Sequence, residues 1–167
     1  MYLSFAQTAD RTIADSVVES TLLGTGVGTL TFPANFWVVG RTIRFEAHGN
    51  VASTGTPTAR VRLKIGATTL LDSTAITMTA LAGTEEWDLV GLITCRSIGV
   101  SGSLRANCFF TYETGSGSTP VDRLFIAGTT TTFNTTVSGA IDITFQWGTA
   151  SALNTITSRL TAIEILN

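Results

Sequence analysis

The chain holds one histidine, His48, one lysine, Lys64, and two cysteines, Cys95 and Cys108, among its 167 residues. So short a supply of imidazole, amine and thiol leaves little from which to build a metal centre, a Schiff base or a nucleophile with its base. Neither alternating Asp/Asn oxygens in the calcium-loop pattern nor a His/Cys ligand set occurs, so no metal and no cofactor is expected. Charged residues make up only 13%, and the formal net charge is -2, which supplies no general attraction to nucleic acid or to an anionic membrane. No run approaches the roughly 18 apolar residues that a membrane helix needs. The opening Met1-Tyr2-Leu3-Ser4-Phe5-Ala6-Gln7 lacks the basic start and apolar stretch of a signal peptide. Heptads and internal repeats, which would build a stalk, are also missing.

What the chain does have is alternation. Ile43, Phe45 and Ala47 alternate with Arg44, Glu46 and His48; Val61, Leu63 and Ile65 alternate with Arg60, Arg62 and Lys64. Ile141, Ile143, Phe145 and Trp147 alternate with Asp142, Thr144 and Gln146. A period of two marks strands with one buried face. Less regular runs lie at 29–32, 87–98, 103–112 and 156–166, separated by Gly, Ser, Thr and Pro clusters that read as turns. Threonine-rich stretches such as 129–132 disfavour helix and strengthen the strand assignment. The expected fold is all-β: one domain of seven to nine strands in a two-sheet β-sandwich, in jelly-roll topology with an immunoglobulin-like topology as the alternative, spanning 19–167, with residues 1–18 as an N-terminal arm holding at most one helical turn.

One hairpin can be taken to register. With Ser101-Gly102 as a two-residue turn, Cys95 stands opposite Cys108 and Ile93 opposite Phe110. Trp87, Leu89, Ile93, Cys95, Leu104, Ala106, Cys108 and Phe110 then face inward, and Val90, Leu92, Thr94, Phe109 and Thr111 face outward. A strand apolar on both faces is covered twice, by a loop or by another subunit. Opposed cysteines would make a strained bridge, so two buried free thiols are favoured over a disulfide.

Candidate chemistry is thin. His48 has Glu46 two residues away on the same strand face, but no Gly-x-Ser-x-Gly elbow accompanies it. Glu85, Glu86 and Asp88 form an acidic cluster at a strand entrance, with no second cluster to oppose it. Gly24-Thr25-Gly26-Val27-Gly28 precedes a strand-like run, where a dinucleotide loop would need a helix. Arg60, Arg62 and Lys64 read as solubilising charges that also block edge pairing. Asn134-Thr135-Thr136 fits the glycosylation triplet by chance composition. Catalytic residues are therefore assigned to none, and the chain reads as a non-enzyme.

The segment Glu19-Ser20-Thr21-Leu22-Leu23-Gly24-Thr25-Gly26-Val27-Gly28-Thr29-Leu30-Thr31-Phe32-Pro33-Ala34-Asn35-Phe36-Trp37, followed by Val39-Gly40-Arg41-Thr42-Ile43-Arg44, resembles structural proteins of tailed bacteriophages. The likeness continues through Leu63-Lys64-Ile65-Gly66, Thr69-Leu70-Leu71-Asp72 and Phe109-Phe110-Thr111-Tyr112. It implies a jelly-roll virion component, assembled as a homotrimer, that decorates and cements the head by binding the major capsid protein or other virion proteins across capsomers. Without a stalk, the head surface is favoured over the tail. Phe36, Trp37, Val90, Leu92 and Phe109 are the expected subunit or capsid contacts, since aromatic and aliphatic anchors concentrate interface energy. The alternative is a tail-fibre or spike module that binds a host cell-surface glycan through loops at 53–58 and 114–119.

Overall fold

A computed structural model describes residues 2–81, 84–115 and 121–167, and these contain strands and no helix. In chain order the strands are β1 (Tyr2–Gln7), β2 (Arg11–Ala14), β3 (Ser20–Thr21), β4 (Gly26–Gly28), β5 (Thr31–Phe32), β6 (Thr42–Ala52), β7 (Thr58–Ile65), β8 (Thr68–Asp72), β9 (Ile76–Thr77), β10 (Glu85–Ser97), β11 (Ser103–Glu113), β12 (Val121–Thr132), β13 (Gly139–Trp147) and β14 (Thr155–Ile165). The large sheet runs β12-β11-β10-β6-β14-β1-β4, with β2 also on β14; the smaller runs β3-β13-β7-β8, with β5 on β13 and β9 on β7. Every pairing is antiparallel. The count exceeds the seven to nine strands expected because several are only two or three residues long, too short to show alternation.

The alternating rows fall as their period demands. Ile43, Phe45, Ala47, Val61, Leu63, Ile65, Ile141, Ile143, Phe145 and Trp147 are all buried, and they belong to one hydrophobic cluster drawn from both sheets. Trp87, Trp147, Phe45, Phe110 and Phe145 are its largest fully buried members. The result is a two-sheet β-sandwich. Its finer topology is not established as a jelly roll by this order, in which β10, β11 and β12 form a simple meander within one sheet.

Two expectations are corrected. Residues 2–7 and 11–14, read as part of an arm with a helical turn, are strands of the large sheet, β1 lying between β14 and β4. Phe5 and Ile13 supply the apolar burial that holds them there. The Gln7 amide completes the attachment: its Oε1 accepts from Ser158 Oγ (3.1 Å) and Thr161 Oγ1 (2.7 Å), and its Nε2 donates to Ala9 O (2.8 Å) and Ser158 O (2.9 Å).

The hairpin register is the second correction. Cys95 stands opposite Leu104, Cys108 opposite Gly91, Ile93 opposite Ala106 and Phe110 opposite Leu89. A five-residue connection replaces the two-residue turn: Gly99 takes a φ of 111° and its carbonyl accepts from the Gly102 amide at 3.1 Å. The slip is four residues, and an even slip leaves every side chain on its face. All eight inward residues named above are therefore buried.

The true register also explains Gly91, the gap in that inward row. A Cβ there would lie 2.3 Å from Phe45 Cζ, 2.3 Å from Asn107 O and 2.6 Å from Cys108 Cβ. The missing side chain is the space into which the Phe45 ring packs. Gly91→Ala should lower stability by about 1–3 kcal/mol through overpacking. Urea unfolding followed by tryptophan fluorescence checks this, and an unchanged midpoint would contradict the packing described.

Candidate interaction face

The outward face of the meander departs from the polar surface that a solvated sheet shows. Val90 on β10, Phe109 on β11 and Phe125 on β12 lie in one row across the three strands, and Leu92 and Ala127 occupy the next row with Asn107 between them. Leu92 is 42% exposed, Phe109 37% and Phe125 50%. The rings of Phe109 and Phe125 sit 4.9 Å apart, tilted by 44°. Beside them Arg44, Val90, Gly91, Leu92, Asn107, Cys108 and Phe109 line a shallow depression of about 370 Å³.

Of the contact residues expected from sequence, Val90, Leu92 and Phe109 meet on this face, and Phe36 and Trp37 do not. Trp37 is 3% exposed and belongs to the core, edge-on to Phe32, Phe36 and Phe133. Phe36 is half-buried, stacked on Phe32 at 4.6 Å and covered by the Arg41 guanidinium at 4.7 Å. The loop turns these rings inward because apolar area is worth more buried than wet. Val38 and Val39 are exposed in their place. Phe125 and Ala127 went unread because Leu124, Phe125, Ile126 and Ala127 run together without a polar alternate. Their signal lies in the meander, where Phe125 falls opposite Phe109.

Polar pairs flank the apolar rows. Arg44 bonds Glu46 at 2.7 Å, Asn50 bonds Glu86 at 2.6 Å, and His48 Nδ1 meets Asp88 Oδ1 at 2.5 Å across the β6–β10 pairing. The acidic cluster thus divides: Glu86 and Asp88 point outward and Glu85 inward, where it is buried. At the other end of the same strands stand Arg96 and Arg105, both exposed and, among the described residues, without an ion pair.

The basic row of β7 is paired. Arg62 bonds Glu19 at 2.7 Å and Asp72 at 3.2 Å, Lys64 lies 3.3 Å from Glu19, and Arg60 bonds Asp72 at 2.7 Å. Thr144 donates to Glu19 at 2.7 Å and Thr21 to Asp142 at 2.6 Å, so one polar network ties β3, β13, β7 and β8 together on the outer face of the small sheet. The Thr144 hydroxyl, then Lys64 and Arg62, hold Glu19 below the usual carboxylate range, and burial pushes Asp142 above it. The hydrogen bond from Arg60 first, with the Thr74 amide and Arg62, brings Asp72 down to about 2.

The remaining candidates have structural roles. Gly26–Gly28 is strand β4 against β1, a close pairing in which a Cβ on Gly26 would lie 2.3 Å from Ala6 O. The Asn134 amide oxygen accepts from the backbone N (3.0 Å) and hydroxyl (2.7 Å) of Thr136, closing a turn. Cys95 and Cys108 are buried free thiols, and burial pushes Cys108 up to about 12. Among the described residues no three His, Cys, Asp or Glu side chains are grouped to hold a metal ion, and no helix is long and apolar enough to cross a membrane. The loop at 53–58 carries no aromatic side chain, and residues 116–119 of the second expected glycan loop lie outside the described residues. No protein-family model, curated protein or solved structure matches the chain.

Because the folded Asp72 carboxyl titrates near 2, below its ordinary 3.8, its ionised form contributes stability above about pH 4 that is lost as pH falls toward 2. Asp72→Asn should therefore flatten the drop in unfolding midpoint between pH 4.5 and 2.5, by about the share this group contributes. Parallel urea titrations across that range check it; an unchanged slope would contradict the pairing.

Proposed function

We propose that this chain is a non-enzymatic virion structural protein, a head decoration or cement protein, working by protein contact through the outer face of β10, β11 and β12. The observation that carries the contact reading is the coherent apolar surface of Val90, Leu92, Phe109 and Phe125 in the middle of a sheet face. Water would favour polar residues there, and a contiguous exposed patch on a sandwich otherwise tied by polar networks supports a partner. The virion assignment is supported by the resemblance of 19–44 and the later segments to phage structural proteins.

A decoration protein needs no turnover. It shifts the assembly equilibrium by binding the closed shell better than the free subunits. The rigid core keeps the contact row in one geometry, which reduces the ordering cost of association.

The test is localisation on purified particles from the source, followed by add-back to particles stripped of the protein. Label spread over the head, with add-back reduced at least tenfold by Phe125→Asp, is the expected outcome. Label confined to the tail would move the reading to a glycan-binding module, and absence from particles would discard it.

A further inference from the structure

Along the outward positions of β10 the order is Glu86, Asp88, Val90, Leu92, Thr94, Arg96. Along the antiparallel β11, read in the same direction, it is Glu113, Thr111, Phe109, Asn107, Arg105, Ser103. The pairing places Glu86 at the level of Glu113, Val90 beside Phe109, and Thr94 beside Arg105. Both strands therefore run from acidic through apolar to basic. The apolar rows lie midway between the two charged ends.

This order is self-complementary. A two-fold axis lying in the plane of contact and crossing the strands at the level of Val90 and Leu92 reverses the strand direction and keeps each strand over its own copy. It sets Arg96 of one copy over Glu86 of the other, brings Arg105 to the level of Asp88 and Thr111, and closes the apolar rows on each other. A two-fold axis parallel to the strands would instead put like charge on like charge. Isologous contacts of this kind are the commonest in homo-oligomers, and sheet faces pack aligned at about 10 Å. An unrelated partner would have no need of a surface that complements itself.

We propose that the partner covering this face is a second copy of this chain, packed face to face and antiparallel about that two-fold axis. The inference rests on the contact reading above and replaces the homotrimer expected from the resemblance with a dimer.

The charge order supplies the test. The variant Arg96→Glu with Arg105→Glu sets acid against acid at both ends of the contact, and Glu86→Lys with Glu113→Lys sets base against base. Each should self-associate at least tenfold more weakly than the unaltered chain in sedimentation-velocity titrations up to about 100 µM. An equimolar mixture of the two should recover association, because residue 96 of each copy again faces residue 86 of the other with opposite sign. Leu92→Asp should give a monomer with an unchanged circular-dichroism spectrum. An unaltered chain that stays monomeric throughout the titration would overturn the proposal, as would a mixture no stronger than its two components. Particle add-back of the unaltered chain separates the two readings: a chain that stays monomeric in solution and still decorates heads removes the dimer and leaves the decoration role standing, and a dimer that ignores particles does the reverse.

Discussion

Strand β6 pairs along almost its whole length with β10 on one side and β14 on the other, and its inward row of Ile43, Phe45 and Ala47 has no solvent exposure at all. The Phe45 ring reaches into the gap left by Gly91 on the neighbouring strand, where even one methyl group would collide. That fit leaves no room for a side chain at position 91 beside the paired β6 and β10, and β11 and β12 follow from β10 by hairpin and meander. With no helix among the described residues, most of the cluster between the sheets is filled from alternate strand positions, and loop residues such as Trp37, Met78 and Phe133 supply the rest. A sheet that meets this demand on its inner side is free to carry something else on its outer side.

The two outer faces use that freedom differently. On the small sheet, Glu19 is held by Arg62, Lys64 and Thr144, Asp72 by Arg60 and Arg62, and Asp142 by Thr21, so the charges there are matched locally. Half-buried pairs of this sort add modest net stability, but they fix which strands lie side by side. On the large sheet the charges of β10 and β11 are separated to the two ends, with apolar side chains between them. Exposed Leu92, Phe109 and Phe125 cost the isolated molecule solubility, a cost that the proposed association would recover.

Much of the sandwich was legible in the sequence because β6, β7 and β13 alternate cleanly, and the outward placement of Leu92 and Phe109 followed from the same period. The hairpin shows the limit of such reasoning. A pattern of period two fixes the face and leaves the register free by any even number, so the five-residue turn around Gly99 moved every partner by four without moving a residue from its side. Strand β1 was hidden because Ser4 and Phe5 are both buried at a bulge, which erases the alternation. Trp37 was read as a contact because a loop aromatic in sequence looks the same whether its ring turns outward or, as here, inward against Phe32 and Phe133. Arg96 and Arg105 carried no signal individually; their meaning comes from the opposite ends at which the folded strands place Glu86 and Glu113.

The central claim is a division between faces: the inner holds the fold and the outer holds the contact. Neighbouring residues of β10 separate these roles, since Leu92 is 42% exposed and Ile93 not exposed at all. The most direct measurement is thermal unfolding of Leu92→Asp and Ile93→Asp side by side in dilute solution. Burying an unpaired carboxylate at position 93 should cost more than about 4 kcal/mol and abolish the cooperative transition, while the Leu92 variant keeps its midpoint to within a few degrees. Equal loss of the transition in both variants would contradict the division.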